Sequence, residues 1–235
     1  MFAIRIRRAA AATSLLAVAT SLAACNDSAK TAPVTIAGIL VENGAQQNVI
    51  VGASATDSLK VQVTTSNATL ASGVEVDWTI VAGDGTVSSA TSKTDGNGEA
   101  AISYKAGTKA QLAQVSAKVS GLDPVLFNIQ QSADAAQAEN VGTNEPTVAM
   151  IGAGSVPISV VVVDEFGNPV SGQTVFWAVT NGGAGTFDLP SSVTDSDGTA
   201  VVNFTPGTSP GTVTIEATTG NGIKADISLP VVSAN

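Results

Sequence analysis

The chain repeats itself. Val76–Thr108, VDWTIVAGDGTVSSATSKTDGNGEAAISYKAGT, lies over Val175–Thr208, VFWAVTNGGAGTFDLPSSVTDSDGTAVVNFTPGT. Gly73 falls on Gly172 and Trp78 on Trp177, an offset of 99. One extra residue enters the second copy after the Trp. Gly85, Thr94, Asp95, Gly98, Ala100, Gly107 and Ala117 then fall on Gly185, Thr194, Asp195, Gly198, Ala200, Gly207 and Ala217. Upstream, Val51-Gly52 falls on Ile151-Gly152. A register kept over that distance marks a tandem duplication. Whatever one copy folds into must therefore fit twice into 235 residues. Units of about 100 residues can bury a core without staples.

Within each copy the apolar residues alternate. LKVQV (Leu59 to Val63) pairs with ISVVV (Ile158 to Val162), VEVDWTI (Val74 to Ile80) with TVFWAV (Thr174 to Val179), and AAISY (Ala100 to Tyr104) with AVVNF (Ala200 to Phe204). QVSAKV (Gln114 to Val119) pairs with TVTIEA (Thr212 to Ala217), and the tails VLFNI (Val125 to Ile129) and ADISL (Ala225 to Leu229) close each copy. Gly, Asn, Asp and Pro punctuate the gaps. About seven short strands per copy predict an all-β chain of two tandem immunoglobulin-like antiparallel β-sandwich domains. The chain is 44% hydrophobic and only 12% charged, and it is rich in small and β-branched residues that suit strands and turns. Neither copy contains a cysteine, so each core stands on packing, with Trp78 and Trp177 as mid-strand anchors.

Ahead of the repeats lies a different kind of segment. MFAIRIRR carries Arg5, Arg7 and Arg8, and an uncharged apolar run follows as far as Ala24. A positive start, a short apolar stretch and small residues at its end read as an export signal, with a run too short for a comfortable membrane span. Leu22-Ala23-Ala24-Cys25 is similar to the lipobox of bacterial lipoproteins, and Cys25 is the only Cys in the chain. The resemblance implies cleavage before Cys25 and acylation of that residue; Arg7-Arg8 would suit a twin-arginine route, but the residues around them do not match that motif, so export by the general secretory route is expected. Several acyl chains would hold the protein to a bilayer where one would be marginal. Asp27 stands one place beyond the position that marks retention in the inner membrane of Gram-negative lipoproteins, so the resemblance implies outer-membrane delivery. The expected organisation is residues 1–24 as signal peptide, 25–33 as lipidated tether, 34–133 as the first Ig-like domain and 134–235 as the second. QSADAAQAEN, Gln131 to Asn140, reads as the connection between them, with its Ala residues able to extend into a first strand or a helical turn.

Charge and residue inventory exclude several function classes. Once the three signal arginines are removed, seven Lys face 19 acidic residues, a balance of −12, with no Arg and no His left. Such a chain is a poor partner for nucleic acid or an anionic membrane surface. Without His, Arg or a free thiol it lacks the usual bases, clamps and nucleophiles. It shows no Gly-x-Ser-x-Gly elbow and no phosphate loop. No cofactor is expected, and zinc-type sites lack ligands.

Two acidic turns remain as candidates. DEFGNPVSG places Asp164 and Glu165 at a strand exit before Gly167-Asn168-Pro169. Consecutive strand residues point to opposite faces, whereas an acid–base pair must converge on one substrate. A hairpin is therefore expected, with a copy-specific ligand or cation contact as the alternative. The aligned residues of the first copy are Thr65 and Ser66, so the fold does not demand carboxylates there. TDSDG, with Asp195 and Asp197, aligns with TDGNG at Thr94 to Gly98. Two Asp in a short turn fall short of the six to eight oxygens of a calcium site, and Asx-type hydrogen bonding is expected, with a partner or cation contact at Asp195 and Asp197 as the alternative.

Val161 to Ala200 resembles the bacterial Ig-like group 1 domain found in intimin and invasin. It carries a strand, Asp, a Gly-Asn-Pro-Val turn, a Gly-rich turn and Thr-Asp-x-x-Gly-x-Ala in the family order. The first copy keeps Gly73, Trp78, Thr94, Asp95, Gly98 and Ala100 but has TTSNATLASG in place of the turn. The resemblance implies a non-enzymatic surface spacer, scaffold or adhesion module. Its partners would be the membrane, through the lipid, and a protein or polysaccharide not named by the sequence. Intimin and invasin carry a separate tip domain, and its absence here points to spacer, scaffold or subunit roles. A carbohydrate-binding module of the envelope is the alternative, and a carboxylate-based hydrolase stands behind it.

Overall fold

The computed structural model describes residues 34–134, 138–144 and 148–233. The leader, Cys25 and the tether to Pro33 lie outside the described residues. In the first copy the alternating stretches become β1 (Ile36–Asn43), β2 (Gln46–Ile50), β3 (Leu59–Thr65), β4 (Glu75–Ala82), β5 (Thr86–Val87), β6 (Thr91–Lys93), β7 (Glu99–Ile102), β8 (Tyr104–Lys105), β9 (Leu112–Lys118) and β10 (Val125–Ser132). The second copy forms β11 (Ala138–Asn144), β12 (Ala149–Met150), β13 (Val156–Asp164), β14 (Thr174–Asn181), β15 (Gly185–Phe187), β16 (Ser191–Val193), β17 (Thr199–Pro206), β18 (Gly211–Thr219) and β19 (Lys224–Val232).

The duplication is exact in topology. One sheet of the first copy runs β1-β3-β7 and the other β2-β10-β9-β4-β6, with β5 paired to β8. The second copy runs β11-β13-β17-β15 and β12-β19-β18-β14-β16. The orders coincide once β7 and β8, interrupted at Ser103, are read as the unbroken β17. Alternation places Leu59, Val61 and Val63 of β3, and Ile158, Val160 and Val162 of β13, wholly inside. The two apolar cores share no residue. Trp78 and Trp177 are buried, and each indole N–H donates to a serine of the edge strand: Ser92 Oγ at 2.8 Å and Ser192 Oγ at 3.0 Å. That bond satisfies the one polar atom each ring takes into the core.

Two expectations need refinement. The sandwiches are antiparallel except at one pair each, where β2 runs parallel to β10 and β12 parallel to β19. After pairing with β3, the first strand of a copy crosses to the opposite sheet without reversing, and it meets the last strand running its own way. The connection is also shorter than Gln131 to Asn140. Gln131 and Ser132 finish β10, because its ladder with β2 continues to Ser132↔Ile50, and Ala138 to Asn140 begin β11.

Candidate functional site

The two acidic turns lie side by side at the end of the second sandwich nearer the first. Their family residues resolve into a structural staple. Buried Thr194 donates to Val170 O at 2.7 Å and accepts from Gln173 N–H at 2.8 Å, tying this turn to the segment that enters β14. Asp195 Oδ1 accepts the backbone N–H groups of Asp197 and Thr199, both at 2.9 Å, an Asx-type turn. Gly198 has φ +73, and a Cβ there would stand 2.5 Å from Val162 O. Thr94, Asp95 and Gly98 repeat each of these roles in the first copy. Asp197 is exposed and gives this turn only its backbone N–H. Among the described residues no group of three or more His, Cys, Asp or Glu could hold a metal ion.

The structure separates Asp164 from Glu165. Asp164 is buried and Glu165 exposed. Asp164 Oδ1 accepts Phe166 N–H at 2.9 Å and Asn168 N–H at 2.8 Å, and its two oxygens take the Asn168 side-chain amide at 3.1 and 3.0 Å. Its Oδ2 also accepts Asp134 N–H at 3.2 Å, from the start of the connection. Gly167 N–H donates to Asp164 O at 3.0 Å, and Gly167 alone in this turn has positive φ, at 82°. The first copy forms the same turn without the family residues. Ala68 N–H donates to Thr65 O at 2.9 Å, Ala68 takes φ 56°, and Thr65 Oγ1 meets Thr69 Oγ1 at 2.7 Å. The hairpin thus needs neither carboxylate nor glycine.

The copy-specific residues serve the joint instead. Asn168 Nδ2 donates to Thr108 O at 2.8 Å, and Ala110 N–H donates to Asn168 Oδ1 at 2.9 Å, so one amide clasps the loop before β9 from both sides. That loop is tied from within by Asp84. Its carboxylate accepts Thr108 N–H at 2.9 Å, Lys109 N–H at 3.1 Å and the side-chain amides of Gln111 and Gln131 at 3.3 Å each. Partial desolvation pushes the Asp84 carboxyl up, but these donors outweigh it and hold it below its usual range. The Phe166 ring lies over Gly52, where a Cβ would stand 3.5 Å from it. Beside the clasp opens a cleft of about 670 Å³ whose walls include Asp84, Lys105, Glu165 and Phe166.

Asn168, Asp84, Gln131 and Phe166 are joint residues that sequence reasoning missed. Their signal is asymmetry between the copies. Thr69 stands where Asn168 does, Ala184 where Asp84 does and Val231 where Gln131 does. Among the described residues, Asn168 of the second copy reaches the sandwich before it, at Thr108 and Ala110.

Residues 126–232 match the family model of the bacterial Ig-like domain (group 1). The match covers the second sandwich and the last strand of the first. Among solved structures, the Escherichia coli adhesin FdeC is 21% identical with a TM-score of 0.63, over 86% of this chain and 66% of that one. Yersinia pseudotuberculosis InvD is 20% identical with a TM-score of 0.54, over 80% of this chain and 56% of that one. The chain thus spans about two thirds and a little over half of those structures, and at these identities the likeness is one of fold. Comparison with curated proteins returned no match.

Proposed function

We propose that this chain, with its match to a group 1 bacterial Ig-like domain, is a non-enzymatic, lipid-anchored module of the cell envelope. Its two sandwiches act as a stiff spacer or scaffold that presents a surface away from the membrane. The observation that carries this reading is the Asn168 clasp: a spacer must transmit position across its joint, and the copy-specific residues are spent there. The fold shared with FdeC and InvD, the former described as an adhesin, favours a surface role over a soluble one. The leader and Cys25 supply the anchor. Against catalysis stands the use of the candidate carboxylates, since Asp164 and Asp195 both accept backbone N–H groups at turns.

Protease treatment of intact cells, with blotting for the mature chain and a Cys25→Ser variant alongside, tests the location. Degradation on intact cells is expected, with loss of membrane attachment in the variant. Protection until the outer membrane is permeabilised would turn the reading into a periplasmic scaffold. A Cys25→Ser form that is processed and membrane-bound as before would remove the lipid anchor.

A further inference from the structure

We propose that the outer face of the five-stranded sheet in the first sandwich carries a groove for a neutral glycan, read by the side-chain amides of Gln46, Asn48, Asn128 and Gln130. The inference is independent of the spacer reading.

Strand register assembles the site. Gln46 of β2 pairs with Asn128 of β10, which pairs with Gln114 of β9. Two residues along, Asn48 pairs with Gln130, which pairs with Leu112. Two cross-strand rows thus face solvent about 6.7 Å apart. They line a shallow groove of about 360 Å³. Five amides lie on one face of three strands, and two of them, Asn48 and Asn128, are of a type depleted in strands. The fold does not require them: the equivalent positions in the second copy are Pro146, Val148, Thr214, Ser228 and Pro230.

The amides are largely unspent. Gln46 and Asn48 are exposed, and neither side chain has a hydrogen-bond partner among the described residues. Gln114 Nε2 donates to Asn128 Oδ1 at 2.9 Å, which fixes both and leaves Asn128 Nδ2 and Gln114 Oε1 open. Gln130 uses one N–H on Gln131 O at 3.2 Å and keeps its carbonyl free.

This chemistry selects the ligand class. An amide offers a carbonyl acceptor beside two N–H donors. Adjacent sugar hydroxyls present the complementary pair, and exposed Leu112 supplies an apolar contact within the row. The groove holds no charged side chain, so it offers no countercharge to an anionic polymer, and the acidic chain as a whole would repel one. The groove also lacks the Trp, Tyr and Arg anchors that dominate protein interfaces. Each exposed hydrogen bond contributes about 1 kcal/mol. Retention therefore depends on a repeating polymer that offers many equivalent sites.

Native affinity electrophoresis of the mature chain tests this, in gels containing dextran, galactomannan or β-glucan, with alginate as the anionic polymer. Retardation by at least one neutral polymer is expected. The Gln46→Ala/Asn48→Ala/Gln130→Ala variant should lose it by at least about tenfold in apparent affinity. A Thr212→Ala/Thr214→Ala variant should keep it, with unchanged melting temperatures confirming both folds. Retardation by none of the neutral polymers, by alginate alone, or equally in the triple variant would overturn the proposal. So would concentration-dependent self-association in sedimentation that the triple variant abolishes, since the face would then join two copies of this chain.

Discussion

Asp164 and Gly198 show what single residues contribute. Asp164 is a buried carboxylate whose oxygens accept N–H groups from Asp134, Phe166 and Asn168. Asp164→Ala removes the acceptor of those N–H groups and is expected to cost the second sandwich about 2–4 kcal/mol, read as an earlier thermal transition of that domain alone. Two glycine changes should behave differently. Gly198→Ala drives a Cβ into Val162 O at a positive φ, and should cost more than about 2 kcal/mol. Gly167→Ala meets nothing within 4 Å, and Ala68 already occupies the equivalent position with positive φ. It should cost only about 1 kcal/mol. Denaturant melts of the two variants check the contrast, and equal costs would contradict the reading of these turns.

At the scale of elements, the strands were largely legible in the sequence, because burial on one face of a sheet imposes a period of two that Leu59–Val63 and Ile158–Val162 display plainly. The crossing of β2 and β12 to the opposite sheet was not legible. Nothing in Gln46–Ile50 distinguishes a parallel neighbour from an antiparallel one. The end of β10 was misread for a related reason: Gln131 is polar, yet it is wholly buried with its amide on Asp84. Of the candidate site, the turn chemistry at Asp195 was readable, while the clasp was not, because Asn168 acts on residues 58 and 60 positions away. The loop that receives it should respond to acid. The folded Asp84 pKa lies below its ordinary value, so its contribution is present above the unfolded carboxylate pKa of about 3.9 and is lost as pH falls through the folded value. The protection factors of the Thr108 and Lys109 amides, corrected for intrinsic exchange, should therefore fall below that range, and Asp84→Asn should remove that fall.

At the scale of the whole molecule, a duplication has been made directional. Both copies keep the same strand order and the same Thr-Asp-x-x-Gly staple. Residues that differ also stand where the copies meet: Asp84 and Gln131 on one side, Asp164 and Asn168 on the other. That distribution is what a spacer requires and what two independent domains on a string would not need. Residual dipolar couplings across both sandwiches test this most directly. The account predicts that one alignment tensor fits residues 34–134 and 148–233 together, and that Asn168→Ala splits it into two while leaving each sandwich folded. Two unequal tensors in the unaltered chain, or a single tensor that survives Asn168→Ala, would contradict it.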